Sequence, residues 1–325
     1  MSARRDLVRG IAVLSLILVL SILFAVSEGA VGVSFIEALR GDQRARMILF
    51  DLRLPRVLLA AAVGAVLASA GATFQTLLRN PLADPFILGV SGGAACGAAI
   101  ATVIGAGRLP GGVPIAAFSG ALGATLLVLA IARRHASVDP TRLILAGLVL
   151  NAFFSALILL ALSMVRGSDL TVALHWMMGS LANPTWADVL LVGLAAVISL
   201  AICASMAGDI RLLVFGEEDA KSRGVSTEKV RVIAFLVASL ATGAAVATSG
   251  IIGFVGLIVP HAVRMIWKRD YRLLLPLSAI GGAALVVLAD LAARALIPPS
   301  ELPLGALTAM LGVPFFLVLL RRATR

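Results

Sequence analysis

The chain has 325 residues, 60% hydrophobic and 14% charged, with a formal net charge of +10. Soluble domains carry about 25% charged residues, and one core cannot hide this much apolar surface from water. The composition therefore excludes an ordinary soluble enzyme and makes a bilayer the solvent. The positive charges fall in short gaps between apolar runs, which is how membrane proteins place their anchors. No nucleic-acid partner is expected.

In chain order, MSARRDLVRG precedes a first apolar run, Ile11–Val31. It is long for a signal peptide and lacks a small-x-small site before Glu28, so it reads as a retained helix. Runs of roughly the 20 residues needed to span a bilayer follow at Pro55–Leu77, Phe86–Gly105, Val113–Ala132, Leu143–Val165 and Trp186–Met206. The last four are Val230–Ser249, Ile251–Trp267, Leu273–Ala293 and Leu304–Leu320. As one helix, Val230 to Trp267 would be about 57 Å long, so it must fold back, with Gly250 and Gly253 the expected sites. Thirty-one glycines predict close helix–helix contact. The expectation is an all-α polytopic membrane protein of about ten transmembrane helices, a single domain over residues 1–325.

Two connections stand out. Residues 166–183 are too polar to span, yet apolar enough for a partial helix at the outer interface. Residues 208–231 form the longest inner connection, with Glu217, Glu218 and Asp219 in a row and Gly224 closing a short helix. With the N-terminus inside, Lys and Arg divide 19 to 8 between the two sides, which predicts that both termini are cytoplasmic. Five of the eight outer cations cluster between Arg40 and Arg56. Exposed there, they would suit an acidic partner.

Catalytic chemistry is scarce. Walker A is missing, and none of the three lysines follows the required glycine pattern, so ATP hydrolysis is not expected of this chain. Gly89-Val-Ser91-Gly92-Gly93 matches G-x-S-x-G, but a hydrolase elbow needs a strand–turn–helix context, and here the motif opens a membrane helix. It reads as a packing surface. His135, His175 and His261 are scattered, with no metal-ligand spacing. Cys96 and Cys203 lie in apolar segments and read as small buried hydrophobes. Glu28, Asp188, Asp290 and Glu301 fall near predicted span ends. Mid-membrane acids would mark an ion-coupled secondary carrier, so that alternative is weakened. Pro81 and Pro85 deny the backbone a continuous helix, and Pro260 kinks its own. Such breaks let helices tilt, as a gate requires.

LRLPR at Leu52–Arg56, RNPLADP at Arg79–Pro85, LGVSGGA at Leu88–Ala94, GFVGLIVPHAVR at Gly253–Arg264 and ELPLGALTAMLGVPFF at Glu301–Phe316 occur in this order. Together they resemble the FecCD-type permease subunits of type II ABC importers, which take up iron–siderophores, haem and cobalamin. The likeness runs from about Asp51 onward. It implies a non-catalytic homodimer in the bacterial or archaeal cytoplasmic (inner) membrane, working by alternating access. Two cytoplasmic ATPase subunits would hold ATP and Mg, this chain binding no cofactor. A periplasmic or lipid-anchored binding protein would deliver the chelate. By the same resemblance Arg53, Arg56 and Arg294 would dock that protein. Gly216, Glu217, Ala220, Gly224 and Val225 would couple to the ATPase. Asn80 and Leu82 would form one constriction, and the Asp139-Pro140-Thr141 segment a second gate, where Pro140 departs from the small hydroxyl residues relatives can carry.

Overall fold

The computed structural model describes residues 2–28, 40–134, 137–267, 270–297 and 300–323. Val31, the expected end of the first span, lies outside them. Regular structure among the described residues is helical apart from the two-residue strands Arg133–Arg134 and Ser137–Val138, paired antiparallel with Arg133 opposite Val138. Helix α1 is Ser2–Ser27 and α2 is Gln43–Leu77. They are followed by α3 (Val90–Val103), α4 (Gly112–Ala132), α5 (Pro140–Met164), α6 (Ser168–Met177) and α7 (Trp186–Ser205). Then come α8 (Ala207–Phe215), α9 (Glu217–Ser222), α10 (Thr227–Ser249), α11 (Val255–Ile266), α12 (Tyr271–Ala295) and α13 (Leu304–Ala323).

All ten expected spans fall on helices. Among the described residues, α1, α2, α4, α5, α7, α10 and α12 are long and apolar enough to cross a membrane, while α3, α11 and α13 hold shorter apolar stretches. The two connections singled out by sequence are also structured. Residues 166–183 contain α6, and residues 208–231 hold most of α8, all of α9 and the start of α10.

One boundary differs from expectation. The expected span opens at Pro55. Instead the helix begins twelve residues earlier, behind Asp42, whose Oδ1 accepts from the Arg44 and Ala45 amides at 2.9 and 3.3 Å. The backbone widens to a π-helix over Met47–Arg53 before resuming α geometry at Leu54. That widening lets the chain pass a proline that cannot donate a hydrogen bond.

Helix α2 is the hub. It is buried along most of its α-helical length and packs against α12, α10, α7 and α11. Glycine makes these approaches possible. A Cβ on Gly64 would lie 2.1 Å from the Gly282 carbonyl oxygen on α12, and one on Gly71 would lie 2.0 Å from that of Gly256 on α11. A second contact of this kind joins α3 to α4, where Gly93 faces Gly120 and Gly97 faces Ala116. With no hydrophobic drive between helices in lipid, such close packing supplies the attraction. Helices α5 and α7 instead expose apolar faces, with Leu148, Val149, Leu159, Leu190 and Val197 all open.

The link between α10 and α11 turns at Gly250, as expected, in a positive-φ conformation (φ 67°). At the far end the left-handed residue is Phe254 (φ 67°) rather than Gly253. Its ring lies against Gly312 of α13, 2.5 Å from where a Cβ would be. Packing of the aromatic ring therefore holds a backbone conformation that a non-glycine residue otherwise avoids.

Gly64→Val should lower stability by about 3 kcal/mol through overpacking against backbone, seen as a fall in thermal midpoint in detergent. Gly123→Val is the control: an added Cβ meets nothing within 4 Å there, and the midpoint should stay within a degree or two.

Candidate translocation and coupling sites

The cluster of arginines at one end of α2 divides into exposed and buried members. Arg53 and Arg56 are only 7% and 8% exposed, and both are engaged within the chain. The Arg56 guanidinium donates to Asp290 through Nε (3.0 and 3.1 Å) and Nη2 (2.9 Å). It donates to Glu301 through Nη1 and Nη2 at 2.8 and 2.9 Å. One planar fork thus holds α2, α12 and the segment before α13 together. Arg294 lies 3.3 Å from Asp290 one helical turn away.

The remaining donors close the end of α1. Arg53 Nη1 donates to the Val26 and Ser27 carbonyls at 3.1 and 2.9 Å, and Arg294 Nη2 to the Ala25 carbonyl at 3.0 Å. A helix leaves its last carbonyls without intrahelical donors, and cations suit that negative end. Arg53, Arg56 and Arg294, the three residues expected to dock a binding protein, thus all donate within this chain. Arg40, Arg44 and Arg46 are the exposed cations of the cluster. Outside the helices, Glu301 is held below the usual carboxylate range by its hydrogen bonds from Arg56, against partial burial.

At the other end of α2, RNPLADP forms a tight turn. The Asn80 amide donates to the Gln75 carbonyl and the Arg79 amide to that of Thr76, at 3.2 and 3.3 Å. This is a Schellman closure, whose left-handed residue is usually glycine. Here it is Arg79, at φ 48°, a conformation that costs an L-residue about 1–2 kcal/mol. Asn80 Oδ1 accepts from the Leu82 amide at 2.9 Å, so the two expected constriction residues share one turn, and the Leu82 side chain is exposed.

Asp84 turns the chain into α3, its Oδ1 accepting from the Phe86 amide at 2.8 Å. Its Oδ2 is buried without a hydrogen-bond partner and faces Gly256. Burial pushes this carboxyl up to about 6. Beside the turn, Gln75 joins α2 to α11, donating to the Gly256 carbonyl at 3.0 Å and accepting from Arg264. A cavity of about 460 Å³ opens here, lined in part by Gln75, Arg79, Pro81, His261 and Arg264.

The third group lies around α9. Gly216 (φ 145°, ψ 153°) occupies a region open essentially to glycine alone, which lets α8 and α9 meet at a sharp corner. Gly224 (φ 81°) ends α9 in another Schellman closure, with Val225 N–H on the Ala220 carbonyl (3.0 Å) and Gly224 N–H on that of Lys221 (2.9 Å). Ala220 is fully buried and Val225 nearly so, in a cluster with Leu213, Val230 and Ala234. These residues therefore anchor α9 from behind. The solvent side presents Glu218, Asp219, Ser222 and Arg223. Exposed Val214 and Phe215 (65%) precede it. Sequence reasoning passed over this apolar pair. The signal was available in two large apolar side chains beside a charged connection.

Glu217 faces sideways. Burial alone would raise its carboxyl, but Lys221 at 3.1 Å, Arg231 at 3.5 Å and the Thr227 hydroxyl together hold it below the usual range. Pro140 and Thr141 form the first turn of α5. Asp139 caps it, its Oδ1 accepting from the Thr141 and Arg142 amides at 2.7 and 3.1 Å. Proline at this position loses no intrahelical bond, which accounts for Pro140 locally.

Ser91 is buried, and its hydroxyl has no hydrogen-bond partner. In the same motif Gly93 packs against Gly120 of α4. His175 contacts the Thr171 carbonyl of its own helix, and His135 lies outside the described residues.

Two outcomes are expected. Arg56→Met takes the hydrogen-bond donor from buried Asp290 and leaves it only the Arg294 ion pair, so stability should fall by about 3 kcal/mol, and Arg56→Met/Asp290→Leu should recover part of it. Ionised Asp84 is a burden above about pH 6 that vanishes as pH falls through the ordinary carboxylate value near 4. Asp84→Asn should thus be more stable than the parent at pH 7.5 by about 1–3 kcal/mol, with the gap closing at pH 4.5 in thermal melts.

The model of the FecCD transport family matches residues 16–322, so the likeness extends well upstream of Asp51. The chain is 43% identical over 283 residues to an uncharacterised ABC transporter permease of Bacillus subtilis, YvrB, covering 86% of this chain and 80% of that one. It is 43% identical over 279 residues to the cobalamin import permease BtuC of Halobacterium salinarum, covering 86% and 74%. Among solved structures, a metal-chelate type ABC transporter in an inward-facing conformation superposes with a TM-score of 0.87 at 32% identity, covering 95% of this chain and 97% of that one. By the family match and these relatives, the chain belongs to the FecCD transport family, as a multi-pass inner-membrane ABC permease with the type II importer fold.

Proposed function

We propose that this permease forms a homodimer carrying a bulky metal chelate inward, with a single translocation path on the dimer axis. The observation that carries the reading is α9. It is a six-residue helix anchored from behind by Ala220 and Val225 and closed by Gly224, while its outer face stays open. Two separate ATPase subunits would grip that face together with Val214 and Phe215, and would bind the ATP and Mg. Both termini would then lie in the cytoplasm. ATP binding and hydrolysis would displace α9, and the helices would rock to open the path alternately to each side. The turn holding Asn80 and Leu82 and the start of α5 at Pro140 and Thr141 would serve as gates.

Of the possible cargoes, cobalamin is the first to test, because a relative named for cobalamin import is 43% identical. Iron–siderophore and haem are the other chelates of the class. A periplasmic or lipid-anchored binding protein would deliver the cargo. Arg53, Arg56 and Arg294 would shape its landing site, and the exposed Arg40, Arg44 and Arg46 would meet its acidic groups.

The decisive experiment is uptake into proteoliposomes containing this chain, its ATPase and its binding protein, with labelled cobalamin, a ferric hydroxamate and haem offered in parallel. ATP-dependent accumulation of cobalamin, lost when the ATPase is omitted, is expected. Accumulation by this chain alone, driven by an ion gradient, would make it a secondary transporter instead.

A further inference from the structure

The start of α5 and the coupling helix α9 are separated by some eighty residues, yet a single side chain joins them. Arg231, in the second turn of α10, is 2% exposed. Its Nη1 donates to the Val138 carbonyl, and its Nη2 lies 3.5 Å from Glu217 at the start of α9. Val138 is held at its other backbone group too: its N–H donates to Glu228 Oε2 at 2.6 Å, one turn earlier on α10. Both hydrogen-bonding groups of this residue are therefore clamped by α10. Two residues later Pro140 opens α5, and Val138, Leu143, Ala220, Val225 and Val230 share one apolar cluster.

A buried guanidinium is expensive unless it is paired, and its planar fork fixes direction as well as distance. A hydrophobic residue would fill this space without that requirement. A charge retained here favours one relative placement of α9, α10 and the α5 entry, and penalises any displacement of α9 that leaves Arg231 behind.

We propose that Arg231 is the connector that makes the coupling helix and the entrance of α5 move as one body. It is a positioning residue: it touches neither cargo nor nucleotide in this scheme. The proposal rests on the reading of α9 as the ATPase contact.

The test uses the complex with its ATPase subunits. A bimane probe is placed on Ser222→Cys (α9) or on Thr141→Cys (α5), both exposed positions. The native cysteines are buried and should label poorly. In the parent, Mg·ATP with vanadate should shift the fluorescence at both sites. In Arg231→Met the Ser222 probe should still respond, while the Thr141 response falls at least fivefold, together with uptake per ATP hydrolysed. Arg231→Lys is the second variant, for the case that Arg231→Met does not fold. It retains a charge opposite Glu217, but one ammonium cannot hold both partners, and the Thr141 response should fall by at least half. A purely structural role would lower the melting temperature without separating the two probes. Equal responses at both sites in either folded variant would overturn the connection. A silent Ser222 probe in the parent would instead overturn the reading of α9, and the connection with it.

Discussion

Backbone-to-backbone contact along α2 is the constraint on which the architecture rests. Gly64 meets Gly282, and Gly71 meets Gly256, at separations that no side chain can enter. Helices in lipid gain little from hiding apolar surface, so close approach must supply the attraction. The consequence is a central helix surrounded by α7, α10, α11 and α12, with α5 and α7 keeping apolar faces exposed. Each break in the bundle is then placed relative to α2. Its C-terminal closure carries the strained Arg79, and Gln75 and Asp84 both bear on Gly256, where α2 and α11 nearly touch.

Charge in this molecule is used sparingly, and a few buried arginines use it to join distant segments. At one end, Arg56 gathers Asp290 and Glu301 while Arg53 and Arg294 close the carbonyl end of α1. At the other, Arg231 gathers Glu217 and Val138. In both places a guanidinium answers several acceptors from segments far apart in sequence. Buried ion pairs contribute little net stability, because desolvation offsets their attraction. What they enforce is arrangement, since each pair is costly to break. A transporter needs pieces that move without coming apart, and clamps of this kind divide a bundle into such pieces.

Left-handed backbone positions lie between these clamped segments. Gly216 and Gly224 bound α9, Gly250 and Phe254 bound the link into α11, and Arg79 ends α2 in a conformation it adopts at a cost. The permease thus combines close backbone contacts along its centre with turns in uncommon backbone conformations at its ends.

Much was legible in the sequence. Hydropathy located ten helical segments because a bilayer demands apolar runs of fixed length. Prolines at 81 and 85, and Gly250, marked true breaks. The ordered motifs from LRLPR to ELPLGALTAMLGVPFF pointed to the family. Other features needed the tertiary structure. Pro55 opened the expected span, but a π-turn carries the helix through it. Phe254, not Gly253, turns left-handed, because Gly312 receives its ring. The burial of Arg56 was hidden because charge counting along a chain cannot see partners such as Asp290 and Glu301, more than two hundred residues away. Arg231 appeared as one more inner-side anchor for the same reason. Composition and periodicity report the solvent each residue prefers; which acid meets which base is settled only when distant helices pack.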